Sequence, residues 1–416
     1  MSGPALPEVP RGSLRIRHVT LVDVAGRRTV RDVAVVVEDG TIRSVGPDDG
    51  SPVTDGDRDA TGLFALPGLV DAHVHVTAST ADEWALTGMP MSYVAAGAFA
   101  ELRATLSRGF TLVRDAGGAD EGLSRALAHG LAVGPRLVRC GHALSATGGH
   151  GDLRPRGRHA LEDQRLAPGI GLVVDGVDAI RTAVRKEVRA GAGFVKLMLS
   201  GGVSSPTDAI DDLQLADEEI AAAVDEAARH GLPVAAHAYT AASIERAVRL
   251  GVSTIEHGNL LDDATARQMA EAGTVYVPTL STYEVLAEQA GPDGLGPASV
   301  AKLAEVRTRG AEAVRTAARH GVAIAFGTDL LGSARDRQNG EFALRAPLQP
   351  AWDVLASATV VAARALGLAG RAGELAPGAA GDVLLCRRDP STDPAALADP
   401  SDLIEAVVLA GREVAR

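Results

Sequence analysis

Six residues able to hold metal ions are spread along this sequence, each at or just after the end of a short apolar run. They are His73 and His75 in LPGLVDAHVH, Lys196 in FVKLML, His237 in PVAAHAY, His257 in STIEHG and Asp329 in AIAFGTD. Imidazole and carboxylate groups gathered around a metal ion are typical of sites that activate water for hydrolysis. The pattern therefore indicates metal-assisted chemistry, provided that the fold brings these strand ends together.

The histidines favour a metal more strongly as a set than singly. His73 and His75 lie one residue apart, so in a strand both side chains point to the same side. A shared metal explains two imidazoles in an apolar interior, and the alternative is a polar pair at a rim. His237 or His257 alone would suit a hydrogen-bonded core histidine. Asp329 ends an apolar run, where an unpaired carboxylate is costly, so a metal-bound water would satisfy it and make it a proton acceptor.

Lys196 suggests a second feature of the site. Of the 41 basic residues, only Lys186, Lys196 and Lys302 are lysines. A buried ammonium group near two dications sheds its proton, and the neutral amine can combine with CO₂. The resulting carbamate has two oxygens that can bridge two metal ions. The alternative is a lysine whose charged end reaches solvent at a rim.

The sequence pattern predicts that alternating strands and helices position these residues. The strand-like runs are LVDAHVH, FTLVRDAG, PRLVRCGHALS, FVKLML, PVAAHAY, STIEHG, TVYVPTL and AIAFGTD. Eight β/α repeats predict an α/β fold of the (β/α)₈ TIM-like barrel type, which places strand ends in one circle. No GxGxxG motif follows the first run, which weakens a dinucleotide-binding alternative. We expect Asp217 to cap one helix and Ser299 to begin another.

Both ends of the chain have a different pattern. Residues 13–60 alternate apolar and polar in short runs with turn signals such as Asp39-Gly40, and GDVLLCRRD and AVVLAGREVAR resemble them. We therefore predict a small composite β-sandwich from residues 1–66 plus 369–416, and a barrel from residues 67–368. Two long irregular connections, one at 146–175 and one after the eighth run, would leave the catalytic face.

Composition excludes several classes of partner. The chain has 416 residues, 46% hydrophobic and 23% charged, which is typical of a soluble globular protein with a large core. Aromatic residues make up 3% and the net charge is −12, so we expect no nucleic-acid partner. No membrane-spanning run or signal pattern is present, and Cys140 and Cys386 fit reduced core residues. We expect a cytoplasmic protein that acts on a small molecule.

The motifs PGLVDAHVH, FVKLML, HAY, EHG, GTD and ELAPGAAGDVLL, in this order, resemble the amidohydrolase superfamily over nearly the whole chain. GHALSATGGHGD and VKLMLSGGV resemble the branch of metal-dependent Xaa-Pro, Xaa-Arg and Xaa-Lys dipeptidases and related amide and urea hydrolases. The resemblance implies two divalent ions, expected to be zinc. His73, His75 and Asp329 would hold one, His237 and His257 the other, and carboxylated Lys196 would bridge both. Homo-oligomers are common among such relatives.

The mechanism that this resemblance implies is attack on an amide-type C–N bond by a hydroxide bridging the metals. Asp329 would move the proton to the leaving amine, and His142 and Tyr239 would contact the substrate. His150 and Arg154 in the third loop, and Arg337 where the branch often has a histidine, are further candidates for substrate binding.

Arg114 and Asp115 end the second strand-like run, and we expect them to pair with each other.

The first choice of substrate is a dipeptide or an N-acyl amino acid. The alternatives are a xenobiotic or secondary-metabolite amide, urea, carbamate or lactam as substrate, and a non-catalytic barrel that serves as a binding subunit.

Overall fold

The computed structural model describes residues 3–154, 169–205, 208–289 and 297–414, so residues 155–168 of the predicted third loop lie outside it. The strands are β1 (Leu14–Asp23), β2 (Arg28–Glu38), β3 (Thr41–Pro47), β4 (Asp57–Asp59), β5 (Phe64–Pro67), β6 (Leu69–Val74), β7 (Phe110–Asp115), β8 (Arg136–Arg139), β9 (Ala143–Ser145), β10 (Gly171–Val173), β11 (Val195–Met198), β12 (Val234–Thr240), β13 (Thr254–Leu260), β14 (Val275–Val277), β15 (Val383–Cys386), β16 (Ile404–Leu409) and β17 (Arg412–Val414).

The helices are α1 (Glu83–Thr87), α2 (Met91–Ser107), α3 (Glu121–Ala128), α4 (Val177–Arg189), α5 (Asp217–Arg229), α6 (Ala241–Arg249), α7 (Asp263–Ala272), α8 (Leu280–Gln289), α9 (Pro297–Arg319), α10 (Gly340–Arg345), α11 (Ala351–Ser357), α12 (Val360–Ala365) and α13 (Pro400–Leu403), with 3-10 helices at Gly332–Arg337 and Pro394–Ala398. None of the described helices is both long and apolar enough to cross a bilayer.

Strands from both ends of the chain form one sheet, in the order β17-β16-β15-β5-β1-β2-β3, with β4 beside β1. The strands of both ends therefore share one sheet, and the predicted β-sandwich domain stays a prediction. The β2–β3 connection is a two-residue turn in which Asp39 and Gly40 have φ of 45° and 73°. Such positive φ values match the twist of a hairpin and are readily adopted by Gly. Arg136, which begins β8, ties this sheet to the rest of the molecule through a buried ion pair with Asp382 (Nε to Oδ2, 2.9 Å).

The remaining strands form two parallel sheets, β6-β7-β8 and β10-β9-β11-β12-β13-β14. Backbone hydrogen bonds connect them on both sides. Gly193 N, just before β11, donates to Arg139 O of β8 (2.8 Å). On the other side, Ala325 N donates to Tyr276 O of β14 and Ala72 N of β6 donates to Phe326 O, both at 2.8 Å.

Two predicted strands differ from the structure. The run PRLVRCGHALS is divided into β8 and β9, with Gly141 between them at φ 80°. The run AIAFGTD forms only an isolated bridge, Ile324 to Tyr276. Its ladder is interrupted because Phe326 N donates to Ser357 O, at 2.9 Å, instead of to a neighbouring strand.

The two predicted helices are confirmed, with corrections at their starts. Ala216 is the N-cap of α5, and Asp217 is its first residue. The carboxylate of Asp217 instead pairs with Arg246 (2.8 Å) and Arg249 (2.7 Å) of α6. α9 begins at Pro297, two residues before Ser299. Cys140 and Cys386 are both buried, as expected of core residues.

Candidate metal centre

The six predicted metal ligands line one pocket of about 110 Å³. Because β6, β11, β12 and β13 are parallel, their carboxyl ends meet at one edge, and the segment after β14 brings Asp329 to the same place. The described residues that line the pocket are His73, His75, Ala81, Glu83, His150, Ile170, Lys196, Met198, Val203, Ser204, His237, Tyr239, His257, Thr282, Tyr283, Leu286, Asp329 and Leu331. His73, His257 and Asp329 each offer a ligand atom within 4.8 Å of the other two.

Hydrogen bonds to one ring nitrogen orient His73, in β6, and His75, just after it. His73 Nδ1 lies 2.7 Å from Glu256 Oε2, and His75 Nδ1 lies 2.9 Å from the carbonyl oxygen of Gly117. A carboxylate and a carbonyl both accept, so Nδ1 is the donor in each ring. In the neutral ring the lone pair is then on Nε2, which faces Asp329 Oδ1 at 3.4 Å from His73 and 3.3 Å from His75.

The other two histidines are held in the same way. His237 Nε2 donates to the carbonyl oxygen of Gly201 (3.1 Å), which leaves the lone pair on Nδ1. His257 Nδ1 lies 2.9 Å from Thr279 Oγ1. Burial lowers the pKa of both His237 and His257 well below the usual value, so both rings are neutral near pH 7. Neutral imidazoles with one oriented nitrogen are suited to binding a metal.

Asp329 is the negative centre of this group. Burial alone would raise the pKa of its carboxyl, but the neighbouring His73 and His75 hold it well below its usual range. The effect is mutual, because burial alone would lower the pKa of His75, whereas the Asp329 carboxylate raises it to about 9. Asp329 is therefore ionised near neutral pH and can accept a proton or bind a cation.

Three residues around the pocket have a left-handed backbone. φ is 72° at His257, 46° at Thr279 and 54° at Asp329. Such conformations are uncommon for residues with a Cβ and cost of order 1–3 kcal/mol each, and they are concentrated at functional sites. Two of the three, His257 and Asp329, line the pocket.

Lys196 brings a buried amine to the pocket. Its side chain is 1% exposed, and its Nζ has no hydrogen-bond partner in the described part of the chain. Burial lowers the pKa of this amine to about 8. A buried amine with no acceptor, in the same pocket as the four candidate imidazole ligands and Asp329, fits a group that completes its bonding by binding something further.

Two predicted substrate contacts also reach the pocket. Tyr239 is 3% exposed, its ring stacks on His257 at 5.2 Å, and its hydroxyl accepts a hydrogen bond from Tyr283 (3.0 Å). His150 stacks on His237 with ring centroids 4.3 Å apart, and its Nδ1 lies 2.8 Å from Ser205 Oγ.

Three other predicted substrate contacts are not brought to the pocket. Each is held by a carboxylate beside it. His142 Nδ1 lies 3.0 Å from Glu187, Arg154 binds Asp152 through two nitrogens at 2.7 and 2.5 Å, and Arg337 pairs with Glu288. None of the three is among the described residues that line the pocket, and their contacts with substrate stay predictions.

The predicted pairing of Arg114 with Asp115 is wrong. Arg114 Nη2 donates to Glu256 Oε1 at 2.6 Å, and both side chains are at most 1% exposed. Asp115 instead accepts from the backbone N–H groups of Val76, Gly117 and Ala119. Adjacent residues on a strand point to opposite faces, so the side chains of Arg114 and Asp115 do not meet although both are buried.

Glu83, Glu256 and Tyr283 are residues of the site that the sequence did not reveal. Glu256 precedes His257 in the same run, and an acid inside an otherwise apolar strand was a usable signal. Glu83 and Tyr283 lie on helices after strand ends and carry no such signal.

Comparison with known proteins shows what this chain is similar to. Residues 64–414 match the model of the amidohydrolase family. The chain is 31% identical over 348 residues to "Ochratoxinase" of Aspergillus niger. The aligned region covers 79% of this chain and 71% of the relative.

Solved structures give the same result. The fold superposes on a prolidase solved with N-methylphosphonate-L-proline with a TM-score of 0.94, at 42% identity and covering 97% of this chain and 100% of that one. A Xaa-Pro dipeptidase with methionine bound in its active site gives a TM-score of 0.87 at 28% identity, covering 97% and 100%. The chain belongs to the amidohydrolase family, whose members are hydrolases acting on C–N bonds.

Proposed function

We propose that this protein is a binuclear metal hydrolase that cleaves the amide-type C–N bond of a dipeptide or an N-acyl amino acid. The observation that carries the proposal is the convergence of His73, His75, Lys196, His237, His257 and Asp329 on one pocket. A barrel kept only for binding would have no need to bury an unpartnered lysine amine beside four imidazoles, which argues against the non-catalytic alternative.

The same proposal extends to the architecture. We infer that the two parallel sheets and residues 323–329 form one closed (β/α)₈ barrel over residues 67–368. The hydrogen bonds from Gly193 to Arg139, and from Ala72 to Phe326, support closure on both sides. Residues 1–66 plus 369–416 would form the second domain. A homo-oligomer in the cytoplasm remains a prediction, and sedimentation equilibrium would measure the oligomeric state.

The donor set fits two divalent ions. His73, His75 and Asp329 would hold one ion, His237 and His257 the other, and Lys196, as its CO₂ carbamate, would bridge them. Nitrogen and oxygen ligands suit zinc and also accept manganese or cobalt. When bound, the two ions would lower the pKa of water toward about 7 and polarise the scissile carbonyl.

The protein's own residues supply proton transfer and orientation. Asp329, ionised near neutral pH, would accept the proton of the attacking water and deliver it to the leaving amine, so that the amine departs neutral. Glu256, Gly117 O and Thr279 fix the rings of His73, His75 and His257. The Tyr239 hydroxyl accepts from Tyr283, which leaves its own hydrogen free to donate to a substrate oxygen.

A second candidate is hydrolysis of a small amide that is not a dipeptide. The similarity to a fungal protein named ochratoxinase favours it, because that relative shares most of this chain. The same residues would carry out the same proton transfers, and only the pocket contacts would differ.

The first experiment is a substrate panel on protein of measured metal content. Purified protein would be supplied with zinc or manganese and assayed with dipeptides, N-acyl amino acids, aryl ureas, carbamates and lactams. We expect about two ions per chain and hydrolysis of the first two classes. Turnover of ureas or lactams alone would favour the second candidate, and an inert protein with bound metal would contradict both.

The second experiment tests the bridge. We expect Lys196→Ala to lose metal and activity, and short carboxylic acids such as acetate or propionate to restore part of both. Lys186→Ala, at an exposed position of α4, is the matched control and should have the metal content and activity of the wild type. Retained metal in Lys196→Ala, without any effect of added acid, would contradict the carbamate assignment.

A further inference from the structure

Glu83 is a second carboxylate in the pocket wall that the proposed hydrolysis does not use. It is the first residue of α1, in the connection that follows β6 and His75. Among the described residues that line the pocket, Glu83 and Asp329 are the two carboxylates. Asp329 has a clear partner in the imidazoles, and Glu83 does not.

The surroundings of Glu83 leave its charge unbalanced. In the part of the chain that the structure describes, no Lys, Arg or His side chain forms an ion pair with it. Its polar contact is Ser204, whose Oγ donates to Oε1 at 3.4 Å, a long hydrogen bond. Burial raises the pKa of Glu83 to about 7, the nearby His75 acts in the opposite direction, and Asp329 adds to the rise by repulsion. A carboxylate in this position gains most from a cation supplied from outside the protein.

The place of Glu83 indicates which cation that would be. Glu83 lines the same pocket as His75 and Asp329, so its carboxylate is near the groups that would surround the reacting carbonyl. In a dipeptide the α-ammonium group is two bonds from the scissile carbonyl carbon. An N-acyl amino acid has the same scissile bond and no such cation.

We propose that Glu83 binds the α-ammonium group of a dipeptide substrate and makes the enzyme prefer a free N-terminus over an N-acyl group. This inference rests on the function proposed above and narrows its substrate class. A charge-assisted hydrogen bond in a partly desolvated site corresponds to a selectivity of about tenfold to hundredfold.

The test uses substrates that differ by one amino group. Alanyl-L-proline and propionyl-L-proline are identical except for the α-ammonium group, and 6-aminohexanoyl-L-proline has a distant ammonium group instead. The same three acyl groups on L-leucine cover a C-terminal residue other than proline. kcat/KM would be measured for the wild-type metalloenzyme, Glu83→Gln, Glu83→Asp and Glu288→Gln.

We expect Glu83→Gln to lower kcat/KM for the alanyl substrate by about tenfold to hundredfold and to leave the propionyl substrate within about threefold. Glu83→Asp keeps the charge and should retain part of the preference. Glu288→Gln is the matched control, because Glu288 is an exposed carboxylate on α8 that faces Arg337 instead of the pocket. It should leave the ratio unchanged. Retained propionyl hydrolysis also shows that Glu83→Gln folds and holds its metal.

Each other outcome has a defined meaning. An equal loss on alanyl and propionyl substrates, or no loss on either, overturns the role of Glu83 while the proposed function stands. A selective loss on the 6-aminohexanoyl substrate overturns the assignment to the α-ammonium group. Failure of the wild type to hydrolyse any of the six compounds contradicts the proposed substrate class itself.

Discussion

Glu256 offers a direct test of how the interior positions the metal-site histidines. Its two carboxylate oxygens accept from Arg114 (2.6 Å), Thr254 (2.6 Å) and His73 (2.7 Å), all within the buried interior. Glu256→Gln changes one oxygen to an amide NH₂ at nearly constant shape. The variant leaves the Arg114 guanidinium buried without its counter-charge. If the new amide faces His73, it donates to Nδ1 and moves the ring proton to Nε2.

The size of the effect follows from these two consequences. Arg114 and Glu256 are at most 1% exposed, and removal of one partner from a buried pair costs about 3–5 kcal/mol. That cost lowers the folding equilibrium constant by about two to four orders of magnitude. A proton on His73 Nε2 blocks the nitrogen that faces Asp329. Loss of such an orienting contact costs about 10–100-fold in metal affinity.

The assay measures both quantities on the same protein. Urea unfolding of metal-free protein, followed by circular dichroism, gives the stability change, and competition with a chromogenic chelator gives the metal affinity. Glu121→Gln is the matched control, because it makes the same chemical change in an exposed pair with Arg125 and should cost less than about 1 kcal/mol. In the double variant Arg114→Met/Glu256→Gln, the stability cost should be smaller than the sum of the single costs.

A Glu256→Gln protein with wild-type stability and wild-type metal affinity would refute this reasoning. Strict additivity in the double variant would also count against a coupled pair.

Three further predictions concern other parts of the molecule. Lys302→Met removes the ammonium group that binds Gly202 O, Ser205 O and Asp208 beside His150, so kcat/KM should fall by about tenfold at unchanged metal content, as measured by steady-state kinetics and elemental analysis. Gly40→Ala places a Cβ at φ 73° and should lower the free energy of unfolding by about 1–2 kcal/mol in urea titration. Arg136→Leu leaves Asp382 buried without its cation and should cost about 3 kcal/mol in the same assay.

Contrary results are equally specific. Loss of metal in Lys302→Met would mean that the contacts beside His150 support the metal ligands themselves. Unchanged stability in Gly40→Ala would mean that the turn relaxes to negative φ. Unchanged stability in Arg136→Leu would mean that apolar packing alone holds the terminal sheet in place.

The sequence by itself determined the metal-site candidates and most of the strands that carry or precede them, the run before Asp329 being the exception. Alternation with period two put His73 and His75 on one side of a strand, and an acid or an amine at the end of an apolar run is costly unless it has a partner. These are local properties, so they can be read from a short stretch of chain. An association of the two ends, as a small β-sandwich, was also expected because both showed the same alternating pattern, and their strands do share one sheet.

Only the tertiary structure decided which polar groups meet. Arg114 and Glu256 are 142 positions apart and come together because both point into the interior from different strands. His142 and Arg337 were predicted from the sequence to contact the substrate, and only the structure shows that they also pair with Glu187 and Glu288. Glu83 enters the pocket because of the path of the chain after β6. Side-chain partners depend on strand neighbours and helix placement, and no local pattern in the sequence encodes these.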